Sequence, residues 1–111
     1  MQYTVTEYKR CMVFKTKERI DHFSAPEFEQ ITRKLIEDGH YKLVFDLSEV
    51  DFISSAGWWA LINCQKSCKR FNRGEVVLVG LQPRIRESMD IVGISQYFRQ
   101  YDDAISAVGS F

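Results

Sequence analysis

Two adjacent hydroxyls, Ser54 and Ser55, lie in the stretch DFISSAGWWALI at residues 51–62, between an apolar run and a pair of tryptophans. Serine at a strand-to-helix junction has two common uses. As an N-cap, its oxygen accepts one of the backbone N–H groups that the first helical turn leaves without partners. As a phosphate acceptor, it puts an anion at the positive end of the helix, where the same N–H groups and the helix dipole favour negative charge. Either serine can be the cap. Phosphate here is locally tolerated, and it acts by adding roughly two negative charges and bulk to an exposed surface. A third use, nucleophilic catalysis, requires a base and an oxyanion hole and is normally built on GxSxG. FISSAG lacks the first glycine, and the only histidines, His22 and His40, flank a different helix. His22, next to Asp21, is the one base that an α/β layering would bring near these serines. Nothing else in the chain supplies a substrate pocket, so a hydrolase is the lesser reading.

The residues that follow the serines separate by helical spacing of about 100° each. With Leu61 at the centre of the buried face, Gly57, Trp58, Cys64, Gln65, Cys68 and Phe71 fall on or beside it. Trp59 falls nearly opposite, among Asn63, Lys66 and Arg70. Trp58 is therefore expected in the core and Trp59 on the solvent side. An exposed tryptophan is a natural partner anchor, because it offers large apolar area with few rotors. The alternative is that it lies over the stems of Lys66 and Arg70 or packs on a neighbouring helix. Trp59, Asn63 and Lys66 are the candidate partner-binding residues. Cys64 and Cys68 are one turn apart and inward, with Cys11 distant, which fits buried small hydrophobes better than a metal site. No nucleotide-binding glycine loop is present, and no cofactor is expected. The cluster Lys66, Lys69, Arg70 and Arg73 reads as a solvated helix end.

The elements that position these residues alternate. YTVTEY and CMVFKTK read as strands joined by a turn near Lys9-Arg10. HFSAPEFEQITRKLIEDG opens like a helix: Ser24 and Glu27 form a capping box, Pro26 sits in the first turn, Phe23 and Phe28 hold staple positions, and Gly39 ends it. KLVFDL reads as a buried strand, SSAGWWALINCQKSCKRF as a second helix, and GEVVLVGL as another strand. PRIRESMDIVGI is a short helix, QYFRQY an edge strand and DDAISAVGSF a terminal helix. The expected fold class is α/β: one domain over residues 1–111, with a mixed, mostly parallel sheet of about four or five strands and about four helices.

In that setting VDFISSAG, followed by a helix, resembles the signature of STAS domains, the anti-sigma-factor-antagonist family: an apolar strand end, then Asp-Ser-Ser/Thr-Gly-Leu, then a helix. Aligned on Phe52, Ile53 and Gly57, Ser54 stands where the family commonly has aspartate and Ser55 where it has the phosphorylated serine. Ala56 takes the second small hydroxylated position and Trp58 that of the leucine. ERIDHFSAPEFEQ resembles the family's entry into its first helix, and Asp21 matches the acidic residue near the phosphosite. KLVFDLSEVDFI resembles the strand carrying the motif, and GEVVLVGLQPRIRESMDIVGI the later strand–proline–helix–glycine segment. The resemblance implies a regulatory domain that is not an enzyme, with Ser55 as the phosphorylation site in an environment of Asp21, Ser54, Ala56 and Gly57. It implies two partners, a serine-kinase anti-sigma factor of histidine-kinase-like ATPase fold and a metal-dependent serine phosphatase. The alternative within the fold is a STAS-type scaffold subunit of a signalling or lipid-transport assembly, with no phospho-switch.

Composition limits the partners further. Fifteen Lys and Arg balance fifteen Asp and Glu, so no overall field favours nucleic acid or a membrane. No apolar run approaches the ~20 residues needed to span a bilayer, and MQYTVTEYKR lacks the order of a signal peptide. Three cysteines without a CxxC pair fit a reduced, cytoplasmic domain, and a monomer is expected.

Overall fold

The computed structural model describes residues 1–111. Five strands form one sheet in sequential order: β1 (Tyr3–Glu7), β2 (Met12–Thr16), β3 (Lys42–Asp46), β4 (Glu75–Val79) and β5 (Arg99–Tyr101). β1 pairs antiparallel to β2 through the turn at Lys9-Arg10, and every later pair is parallel. The crossovers carry α1 (Ala25–Glu37), α2 (Ser55–Lys69) and α3 (Pro83–Val92), and α4 (Ala104–Gly109) follows β5. The expected α/β order is observed throughout.

Alternation along the strands divides the core. Phe14, Leu43, Phe45, Val76 and Leu78 point to one face, where they meet Phe28 of α1, Leu61 of α2 and Ile85 and Met89 of α3. Val13, Val44, Val77 and Val79 point to the other, which α4 covers with Ala107. The rings of Phe14, Phe28 and Phe45 pack edge to face at centroid distances of 5.4–5.5 Å. Each such buried ring contributes roughly 1.5–3 kcal/mol.

Three local expectations are corrected. Ser24 is the N-cap residue of α1 but makes no side-chain cap bond. Its hydroxyl instead donates to the Arg19 carbonyl at 2.7 Å and accepts from the Asp21 N–H at 3.0 Å. The carboxylate of Asp21 closes a turn just ahead of the helix, accepting from the N–H groups of Phe23 and Ser24 at 3.0 and 3.1 Å. An aspartate two residues before a free N–H closes a turn of its own, and it outcompetes the serine. Phe23 is 81% exposed, so no staple forms with the buried Phe28. Phe71 is not inward: α2 stops at Lys69, and Phe71 follows with φ of +59° and 83% exposure.

Candidate functional site

The site is built at the carboxyl end of the parallel strands. Ser54 has extended backbone, and its Oγ accepts from the Gly57 N–H at 3.2 Å, which makes it the cap of α2. Its carbonyl accepts from the Trp58 N–H at 2.9 Å. Ser55 is then the first helical residue, and it is exposed. The two serines therefore divide the uses open to them: one hydroxyl is engaged in the cap, while the other faces solvent at the positive helix end. No acidic side chain lies in the first turn of α2 to oppose an added anion.

Asp21 reaches this point through the main chain. Ile20 donates to the Phe52 carbonyl at 3.1 Å and accepts from the Ser54 N–H at 2.9 Å, an isolated parallel bridge. The backbone of Ile20 lies so close to α2 that a Cβ on Gly57 would sit 2.2 Å from the Ile20 carbonyl oxygen. Glycine is therefore required at 57 by close approach. The bridge brings the Arg19–Asp21 loop against the serines, with Asp21 one residue from the bond to Ser54. The N–H of Ser24, with that of Phe23, holds the Asp21 carboxyl below the ordinary aspartate range. Asp21 is thus an ionised, turn-forming neighbour of the Ser54–Ser55 loop.

Trp58 and Trp59 diverge as their spacing predicts. Trp58 is buried, and its indole N–H donates to Ser88 of α3 at 3.4 Å. Trp59 is 60% exposed. It lies beside neighbouring apolar residues and borders an open groove of about 300 Å³ whose walls include Ser55, Ile62, Lys66, Val92 and Tyr97. Ser55, Trp59 and Lys66 are thereby brought together. Asn63 is exposed but lines a different cleft, between α2 and α1, with Arg33 and Glu37. Val92 and Tyr97 were not among the sequence candidates. They follow the inward positions of α3, so periodicity gave no sign that they would form the far wall. Arg19 and Phe52 were also missed: the guanidinium sits 5.6 Å over the Phe52 ring and 3.5 Å from Asp51, beside the serine loop.

His22 is exposed, its ring tilted by 37° against that of Phe23 with centroids 4.0 Å apart, and neither serine hydroxyl bonds to a histidine. Hydrogen bonding to Cys68, followed by burial, pushes the Cys64 thiol well up. Burial likewise raises Cys11. No helix is long and apolar enough to cross a membrane.

Comparison with known proteins accords with this arrangement. Residues 2–107 match the STAS domain profile. Over 111 residues the chain is 25% identical to BtrV of Bordetella bronchiseptica, provisionally named an anti-sigma factor antagonist, covering all of this chain and 95% of that one. An anti-sigma factor antagonist from Mycobacterium paratuberculosis superposes with a TM-score of 0.86 at 25% identity, over 98% of this chain and 92% of that one. The phosphorylated form of the Bacillus cell fate determinant SpoIIAA shares the fold, with a TM-score of 0.75 at 13% identity over 98% of both chains.

Proposed function

The chain belongs to the STAS domain family, and on that premise we propose that it is an anti-sigma factor antagonist switched by phosphorylation of Ser55. In this reading it acts in the cytoplasm and is not itself an enzyme. The unphosphorylated form binds a serine-kinase anti-sigma factor of histidine-kinase-like ATPase fold, and that partner transfers phosphate from its ATP to the Ser55 hydroxyl. A metal-dependent serine phosphatase restores the hydroxyl.

The observation that carries this reading is that Ser55 and Trp59 border one groove. Trp59 offers the apolar area that anchors a partner, and the 60% of it left exposed is the part that binding would cover. Phosphate on Ser55 adds a charge of about −1.5 to −2 at the rim of that same groove. Within the free protein this charge is welcome, since the N–H groups of Ser55 and Ala56 are orphans of the first helical turn. Inside a closed interface the same charge must lose water without a counter-ion, which costs several kcal/mol. A charge that is cheap when free and costly when bound makes a switch.

The test is kinase transfer followed by binding. Incubation with the partner kinase and ATP is expected to put phosphate on Ser55, and Ser55→Ala to abolish labelling while retaining the complex. Ser55→Asp is expected to weaken the complex by about tenfold or more, read by titration calorimetry. Phosphate found elsewhere, or equal affinity of the two variants, would reject the switch. A stable complex with a transporter ATPase, without labelling, would favour the scaffold role.

A further inference from the structure

The zero net charge of the sequence conceals a strong polarity. The segments that precede the three central parallel strands all emerge at the end of the sheet opposite Ser55. Lys9 and Arg10 come from the β1–β2 turn, Lys42 from the start of β3, and Lys69, Arg70 and Arg73 from the α2–β4 connection. Lys9, Arg10, Lys42 and Arg73 border one cleft, and Lys42 and Arg73 also border the next one along with Lys69. The carboxylates at this end do little to offset them. Glu75 is held by Arg99 at 2.7 Å and Asp38 by Lys34 at 3.3 Å, which leaves Glu7, Glu37 and Phe111, whose main-chain oxygen accepts from Arg10 at 3.3 Å.

Apolar tips stand among these cations. Phe71 is 83% exposed, and both it and Asn72 have positive φ, at +59° and +55°. Left-handed backbone is unfavourable for a phenylalanine, so this loop stores strain while holding a large ring in water. Arg73 braces the loop. Its Nε and Nη2 donate to the carbonyls of Arg70 and Ser67 at 3.1 and 2.8 Å, and its guanidinium stacks over the Tyr41 ring at 4.0 Å. Tyr8, 45% exposed, stands on the neighbouring turn beside Lys9.

We infer that this end of the molecule is a docking surface for an anionic phospholipid bilayer, with the cations meeting headgroup phosphates and carboxylates and Phe71 entering the headgroup–acyl boundary. The mixture of charge and exposed aromatics is what selects this occupant. An acidic protein surface would satisfy the cations but needs a matching pocket for Phe71. A single-stranded nucleic acid would stack on the rings, yet the charges come from separate turns and not along one backbone-tracking groove. A bilayer offers a plane of negative charge with an apolar layer just beneath, which suits basic turns with an aromatic tip. The proposal does not depend on the phospho-switch and stands or falls separately.

Vesicle sedimentation tests it. The protein is expected to sediment with phosphatidylserine–phosphatidylcholine vesicles and not with pure phosphatidylcholine, and raised salt should release it. Each cation removed should lower partition about fivefold, so Lys69→Glu with Arg70→Glu should lower it by about 25-fold or more. Phe71→Ser should lower it by about tenfold with all charges intact. Because these side chains are exposed, circular dichroism should be unchanged in every variant. Brominated lipid should quench the added tryptophan of Phe71→Trp, while Trp58 and Trp59, at the other end, stay unquenched. Equal sedimentation with neutral and anionic vesicles would overturn the inference. So would tighter binding to a single-stranded oligonucleotide, or capture of the Phe71 surface by a second copy of the chain.

Discussion

Serine in place of aspartate at position 54 keeps one duty of the family residue and drops another. Serine and aspartate are comparable helix caps, and the Ser54 oxygen already satisfies the Gly57 N–H. What serine lacks is the charge. Replacing Ser54 with alanine should therefore cost about 1 kcal/mol in urea denaturation. Ser54→Asp should be neutral or stabilising by a few tenths, since a carboxylate also suits the positive helix end. A loss for Ser54→Asp equal to that of alanine would show that the cap geometry is specific to the hydroxyl. That one serine of this pair caps the helix was legible in the sequence, but which one was not: only the hydrogen bond from the Gly57 N–H assigns the cap to Ser54. Ser24 was not so legible. Its spacing to Glu27 matches a capping box, but Asp21 lies close enough to close the turn first, and competition between two local hydrogen-bonding schemes is invisible to a motif.

At the scale of elements, α2 links the site to the sheet. Its inward face holds Gln65, a 2% exposed amide that donates to the carbonyls of Val76 and Tyr97 at 3.0 and 2.7 Å and accepts from the Val76 N–H at 2.6 Å. One side chain thus ties the start of β4 to the segment entering β5, which is only three residues long. Gln65→Leu matches the volume roughly but strands three main-chain groups, two of them buried, so a loss of about 3 kcal/mol is expected in denaturant unfolding. A change under 1 kcal/mol would mean that water replaces the amide. Helical spacing predicted Gln65 inward, and the apolar run KLVFDL predicted a buried β3. The groove wall was hidden for a different reason. Val92 and Tyr97 border Ser55 and Trp59 only because α3 and its following turn pack beside α2, and such tertiary adjacency leaves no trace in the spacing of either helix. Phe71 was misread because the 100° wheel was carried past Lys69, where the backbone turns left-handed.

On the scale of the whole molecule, the two proposed surfaces occupy opposite ends of the same helix. Ser55 opens α2, and Lys69 closes this helix of 15 residues. At 1.5 Å per residue this separates Ser55 from the cationic end by about 20 Å. The screening length at physiological ionic strength is about 8 Å, so a charge added at Ser55 is largely invisible to a bilayer at the far end. The helix joining them is packed on the sheet along its length, with Leu61, Cys68 and Gln65 fully buried, and coupling between its ends would need a two-state element that both ends bias. The two surfaces should therefore act independently. Ser55→Asp, expected to weaken the kinase complex, is also expected to leave partition onto phosphatidylserine vesicles unchanged within about twofold, as distant substitutions add without coupling. The converse is expected of Lys69→Glu with Arg70→Glu, which should release the protein from vesicles and leave its affinity for the kinase intact. The geometry would then let one molecule be held at a membrane and switched there at the same time. A tenfold fall in vesicle partition on Ser55→Asp would instead require that the bilayer or the kinase contacts both ends, and would shift the docking face from the base of the sheet to its side.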